Sequence, residues 1–230
     1  LLVVDRLGQD LVERWPAGLG AADELGDHPA LQRGEGSLAV FGNYVQNLVL
    51  SEGSADETDP LHYVNSDAPI GTLGAEATLR RDWRQGYMLA VSYSFQRSRF
   101  LSQDSLAALF GFEQSPEFRR VANSPEHLAS VKGALPILGR ALMLASRLSV
   151  ESGRFDRNER VTEASQTRTD PFVIWDLVVT GKEDRLGFSW AAGVYNAFDW
   201  RYGVPVSAEF SQRTITQDGR SFLFSADLAF

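Results

Sequence analysis

The 230-residue chain is long enough for one domain, or two small ones, with a sizeable core, and its 43% hydrophobic and 23% charged residues argue against intrinsic disorder. Its net charge of −8, from 22 Lys and Arg against 30 Asp and Glu, argues against nucleic acid as a partner, because gripping phosphate backbones takes a basic surface. The absence of cysteine excludes disulfides, thiolate metal sites, Cys nucleophiles and iron–sulfur clusters, and no apolar run reaches the roughly 18 residues of a membrane-spanning helix.

Residues 1–35 form a lead-in with two readings. Leu7, Leu11, Val12 and Trp15 have helical spacing, with Pro16 as a stop; equally, Leu19 to Gly26 fits the lower part of a strand that turns back near residues 32–36. The opening Leu1-Leu2-Val3-Val4, with no Met and no basic segment, is the pattern expected of a mature or truncated product.

From 36 to 230 a period of two dominates. Segment 37–50 is strand-like and apolar on both faces in places. In 70–81, Leu73, Ala75, Ala77 and Leu79 alternate with Gly74, Glu76, Thr78 and Arg80; in 86–96, Tyr87, Leu89, Val91, Tyr93 and Phe95 alternate with Met88, Ala90, Ser92, Ser94 and Gln96. Segments 126–136, 171–180 and 186–197 alternate more weakly, and in 140–151 Leu142, Leu144, Leu148 and Val150 share one face. The end is the clearest case, with Phe222, Phe224, Ala226, Leu228 and Phe230 on one side.

These are eight strands, and their connections alternate in length. Segments 82–86, 136–139 and 181–185 are short; 51–69, 97–124, 152–169 and 198–218 are long. Long loops gathered at one end predict an all-β, antiparallel, up-and-down portion of a transmembrane β-barrel with short periplasmic turns and long extracellular loops. Aromatic residues gather at both ends: Trp83, Tyr87 and Phe230 by the short turns; Phe95, Phe172, Phe198, Trp200, Tyr202 and Phe222 by the long loops, as belts at two membrane interfaces would. Strand parity then places Leu73, Leu79, Leu89, Val91, Leu142, Leu144, Phe224 and Leu228 toward lipid. Glu76, Arg80, Lys132, Arg147 and Asp227 face the lumen, since an arginine or lysine on the lipid face costs about 2–4 kcal/mol at the midplane.

Tyr63-Val64-Asn65 followed by Gly74-Ala75-Glu76-Ala77 resembles the Y-x-N…G-x-E stretch of TonB-dependent outer-membrane receptors. Asn123-Ser124-Pro125-Glu126-His127 resembles that family's N-x-P-x-H, Asn196-Ala197-Phe198-Asp199-Trp200-Arg201-Tyr202 its N-L-F-D-x-x-Y, and Gly219-Arg220-Ser221-Phe222 its terminal strand. The resemblance covers about 37–230. It implies that 36–230 is the C-terminal β-barrel segment of a receptor in the bacterial outer membrane, taking up a scarce ligand such as a ferric siderophore or cobalamin. The implied partners are outer-membrane lipid, a plug domain, the TonB complex, the small-molecule ligand and the barrel-insertion machinery, which reads a C-terminal Phe such as Phe230. The family's barrel has about 22 strands around a plug, so this chain is expected to be a part or remnant that is inactive alone.

No catalytic constellation emerges, and the chain does not read as an enzyme or as a holder of a cofactor or metal. His28, His62 and His127 lie far apart, and the acidic loop of Glu52, Asp56, Glu57, Asp59 and His62 reads either as a cation-attracting site or as a solvated extracellular loop. Two other functions stay open: a free-standing small outer-membrane barrel with a structural or adhesive role, and a soluble β-barrel binding protein.

Overall fold

The computed structural model describes residues 33–52, 62–101, 121–138, 141–156, 167–206, 210 and 212–228. Eight of its strands form one antiparallel sheet: β1 (Arg33–Val45), β4 (Ile70–Asp82), β5 (Met88–Phe100), β6 (His127–Pro136), β7 (Leu142–Glu151), β8 (Phe172–Glu183), β9 (Phe188–Tyr195) and β12 (Ser221–Leu228). Each pairs with its predecessor in this sequence, the up-and-down order expected from the alternating connections. Two small hairpins complete the strands, β2 (Val49–Glu52) with β3 (His62–Asn65), and β10 (Gly203–Pro205) with β11 (Thr214–Thr216). Both belong to long connections. A 3-10 turn, Asp184–Leu186, links β8 to β9.

The expected single strand 37–50 is two. β1 begins at Arg33 and ends at Val45, and Asn47, with φ of 53°, turns the chain before β2. Asparagine tolerates this left-handed conformation at little cost, so it breaks a run whose side chains otherwise favour extension. The β2–β3 hairpin folds back on the loop end of the sheet, where Leu50, Ala68, Ile70 and Phe100 form a small apolar core with Leu48, Val64 and Val121 against it.

Register carries the parity argument from strand to strand. Directly opposed residues in antiparallel pairs share a face. One face holds Leu38, Val40, Leu73, Leu79, Leu89, Val91, Leu142, Leu144, Phe224 and Leu228. Its apolar residues are unusually exposed: Val40 79%, Phe222 74% and Leu228 68%. An apolar band of this extent is incompatible with water and suits hydrocarbon.

The loop-end aromatic belt needs correction at Phe172 and Tyr202. Phe172 opposes Glu151 on the other face, and there it stacks on Tyr202, with ring centroids 3.8 Å apart. Trp175, which the alternation had left unassigned, takes the outward side: it packs on Phe198 at 5.3 Å, and its Nε1 donates to Ser146 Oγ at 2.9 Å. That bond gives an outward-facing hydroxyl a partner that lipid cannot supply.

Candidate functional site

The face opposite the apolar band is polar in rows that run across the strands. Glu35, Arg80, Ala90, Lys132, Arg147 and Asp176 are successive register partners from β1 to β8. Beside them, Ser37, Thr78, Ser92, Ser130 and Ser149 form a parallel row of hydroxyls. The charged row leaves β1 at its third residue, near the short turns, and meets β8 at its fifth, in the half nearer the long loops. Successive strands are therefore staggered along this row, the stagger that tilts strands relative to a barrel axis when a sheet closes.

All five lumen candidates share this polar face, and the structure gives four of them close neighbours there. Arg80 donates to Asp82 from Nε at 2.8 Å and Nη2 at 3.1 Å. Glu76 accepts from Ser94 Oγ at 3.3 Å. Arg147 places Nη2 at 2.6 Å and Nε at 3.0 Å from Asp176 Oδ2. Lys132 stands directly opposite Arg147 and lines, with Glu35, Ser37, Thr78, Arg80 and Ser92, a cavity of about 400 Å³. Asp227 lies apart, on exposed β12 opposite Ser189. Of the loop candidates, His62 is exposed at the start of β3; Asp56, Glu57 and Asp59 lie outside the described residues, as does Phe230, the expected insertion signal.

Asp176 was not singled out by sequence reasoning, although a signal existed: it is the one carboxylate in the apolar run Phe172-Val173-Ile174-Trp175-Asp176-Leu177-Val178-Val179. Such a residue in a membrane-spanning segment needs a partner. It is 3% exposed, and besides Arg147 it accepts from the Asn196 backbone amide at 2.9 Å. Around it the inward face changes character, with Ile174, Val178 and Leu223 replacing the hydroxyls of β1 to β7.

The motif at 196–202 is a clamp. Asn196 and Asp199 both have positive φ, 51° and 54°, a conformation that Asn and Asp adopt more readily than other side chains. Asn196 Nδ2 donates to the carbonyls of Trp200 at 2.9 Å and Asp218 at 3.3 Å, and its Oδ1 accepts from the Trp200 amide at 3.0 Å. Asp199 Oδ1 accepts from the Arg220 amide at 2.8 Å. The two legs of the last long loop are thereby tied together at their base, below the β10–β11 hairpin.

Three long connections are tied to one another at the loop end. Asn123, with φ of 52°, donates its amide to Phe155 O at 2.9 Å and accepts from Arg154 Nη1 at 2.7 Å, while Arg154 Nε pairs with Glu151. Asp156, 3% exposed, accepts from the Thr167 amide at 2.9 Å and from Arg213 Nη1 at 2.7 Å. Burial pushes the Tyr202 hydroxyl above its ordinary pKa, and the Glu151 charge adds to the shift. The contacts of Arg154 with Asn123 and of Asp156 with Arg213 carry no local sequence signal, because each joins two different long connections.

Gly74, from the G-x-E stretch, is a packing requirement. A side chain there would run into the Phe41 ring and the Phe95 carbonyl. Gly86, with φ of 89°, closes the β4–β5 turn, where its amide donates to Trp83 O at 3.0 Å.

A family model described as TonB dependent receptor-like, beta-barrel, matches residues 23–197. Among solved structures, the fold is similar to that of the copper transporter OprC, at 17% identity and TM-score 0.64, covering 89% of this chain and 29% of that one. It is similar to the ferric-catecholate import receptor Fiu of Escherichia coli K12, at 16% identity and TM-score 0.61, covering 86% and 25%. It is also similar to the pyoverdine receptor FpvA of Pseudomonas aeruginosa PAO1, at 19% identity and TM-score 0.60, covering 86% and 27%. The chain spans less than a third of the length of these structures. No curated protein sequence matches it.

Proposed function

The chain belongs to the TonB-dependent receptor-like β-barrel family, whose strands cross the outer membrane, and from this premise we propose that it forms part of the wall of a larger barrel for energised uptake of a scarce ligand. The observation that carries the reading is the sheet's division by parity into an apolar outward face and a charged, hydroxyl-rich inward face, with two edges left over. Among the described residues β1 and β12 each hydrogen-bond on one side only. In hydrocarbon every unpaired backbone group costs several kcal/mol, so the working barrel needs further strands at both edges. Lys132, Arg147 and Met88 on the inward face suit a wide, wet interior better than the packed lumen of an eight-stranded barrel.

The ligand class follows by analogy with the receptors of similar fold: a ferric siderophore, with copper or another metal complex such as cobalamin as the neighbouring choices. A plug within the wet lumen, the TonB complex and the barrel-insertion machinery are the proposed partners. Uptake of radiolabelled ferric siderophores by cells carrying the chain in its receptor tests the transport role. Uptake should stop when TonB is inactivated, and TonB-independent uptake would refute the proposal. Refolding the 230 residues alone in detergent tests the wall reading. The expected result is no heat-modifiable monomer and no siderophore binding; a stable monomeric barrel with tight binding would overturn it.

A further inference from the structure

In a chain of net charge −8, the segment that turns β4 into β5 is positive: Arg80-Arg81-Asp82-Trp83-Arg84 sets three arginines against one aspartate. Arg80 takes that aspartate, and both lie on the inward face. Arg81 has the opposite parity. It opposes Leu89 on the outward, lipid-facing side, one position from the end of the β4–β5 ladder. Its guanidinium carbon lies 5.2 Å from the centroid of the Trp83 ring, and Arg84 is exposed in the turn itself. The Trp83 amide donates to Tyr87 O at 2.9 Å, so two aromatic residues flank the same turn as the two cations.

An outward arginine is expensive deep in the bilayer and nearly free at its interface, so Arg81 sits where the headgroups are. Trp83 and Tyr87 prefer the same level. A guanidinium there meets phosphate oxygens, which it binds as a fork. We propose that Arg81 and Arg84, with Trp83 between them, dock the phosphate of an anionic phospholipid headgroup in the leaflet met by the short turns. The inference rests on the membrane-spanning reading above and adds to it a headgroup preference at one turn.

Trp83 itself reports on the site. In the intact receptor reconstituted in vesicles, the difference in emission between the parent and Trp83→Phe isolates its signal. Chain-brominated phosphatidylglycerol and chain-brominated phosphatidylcholine are then compared as quenchers at equal mole fraction. An arginine near a membrane surface favours anionic lipid by about fivefold, so the parent should be quenched at least about fivefold more effectively by phosphatidylglycerol. Arg81→Gln/Arg84→Gln should bring the ratio to about one, and Arg81→Lys/Arg84→Lys should keep most of it. Equal quenching of the parent by both lipids, or an unchanged ratio in the glutamine variant, overturns the headgroup site while leaving the barrel intact. No quenching by either lipid overturns the membrane placement on which it rests.

Discussion

Replacing Asp176 with alanine tests the inward charge row most directly. The side chain is 4% exposed and its Arg147 partner 16%, so the pair is shielded from water. The substitution removes both hydrogen bonds that Arg147 makes to the carboxylate and leaves that guanidinium opposite Lys132. It also takes the acceptor from the Asn196 amide. Breaking a buried pair from one side costs about 3–5 kcal/mol, and orphaning a buried amide about 1–3 kcal/mol. The two losses share one site and overlap, so the expected destabilisation is about 4–6 kcal/mol. Asp176→Asn, which keeps an oxygen for the amide and loses the charge, should cost about half of that, and Arg147→Met/Asp176→Leu should return to within about 2 kcal/mol of the parent. Urea unfolding of the intact receptor refolded into lipid vesicles, read by linear extrapolation, measures all three. A loss below about 1 kcal/mol for Asp176→Ala, or a double variant no better than the single one, would refute the argument.

Three further outcomes follow from the same geometry. Asn196→Ala removes three hydrogen bonds and places alanine at a positive φ, so the loop should open locally by about 2–3 kcal/mol, seen as faster amide exchange over 198–220 with the strand amides little changed. Tyr202 has its pKa raised by burial, so its contribution is complete below the ordinary tyrosine value near pH 10 and is lost as pH rises through the higher folded value; Tyr202→Phe should abolish this alkaline loosening in near-ultraviolet spectra. Spin labels at Leu89 and Ser92, on opposite faces of β5, should respond oppositely to lipid-soluble and water-soluble relaxants, and matching responses would break the parity assignment.

The sequence by itself determined the eight strands of the main sheet, their neighbours and their two faces. Each of these is local: alternation from Leu73 to Arg80 or from Phe222 to Leu228 has a period of two, and a turn as short as 82–86 can only join adjacent antiparallel strands. Once one residue per strand was placed, Glu76, Arg80, Lys132, Arg147 and Asp227 had to share a face. Only the tertiary structure decided what those residues meet, because partners across strands depend on register. Arg147 finds Asp176 29 positions away, and Lys132 comes to stand beside Arg147. It also decided the loop end, where Asp156 is held by Arg213 from 57 positions on and Phe172 turns inward to receive Tyr202. Each of those contacts involves at least one segment of irregular backbone, which carries no periodicity, so nothing in the order along the chain announces which of them will touch.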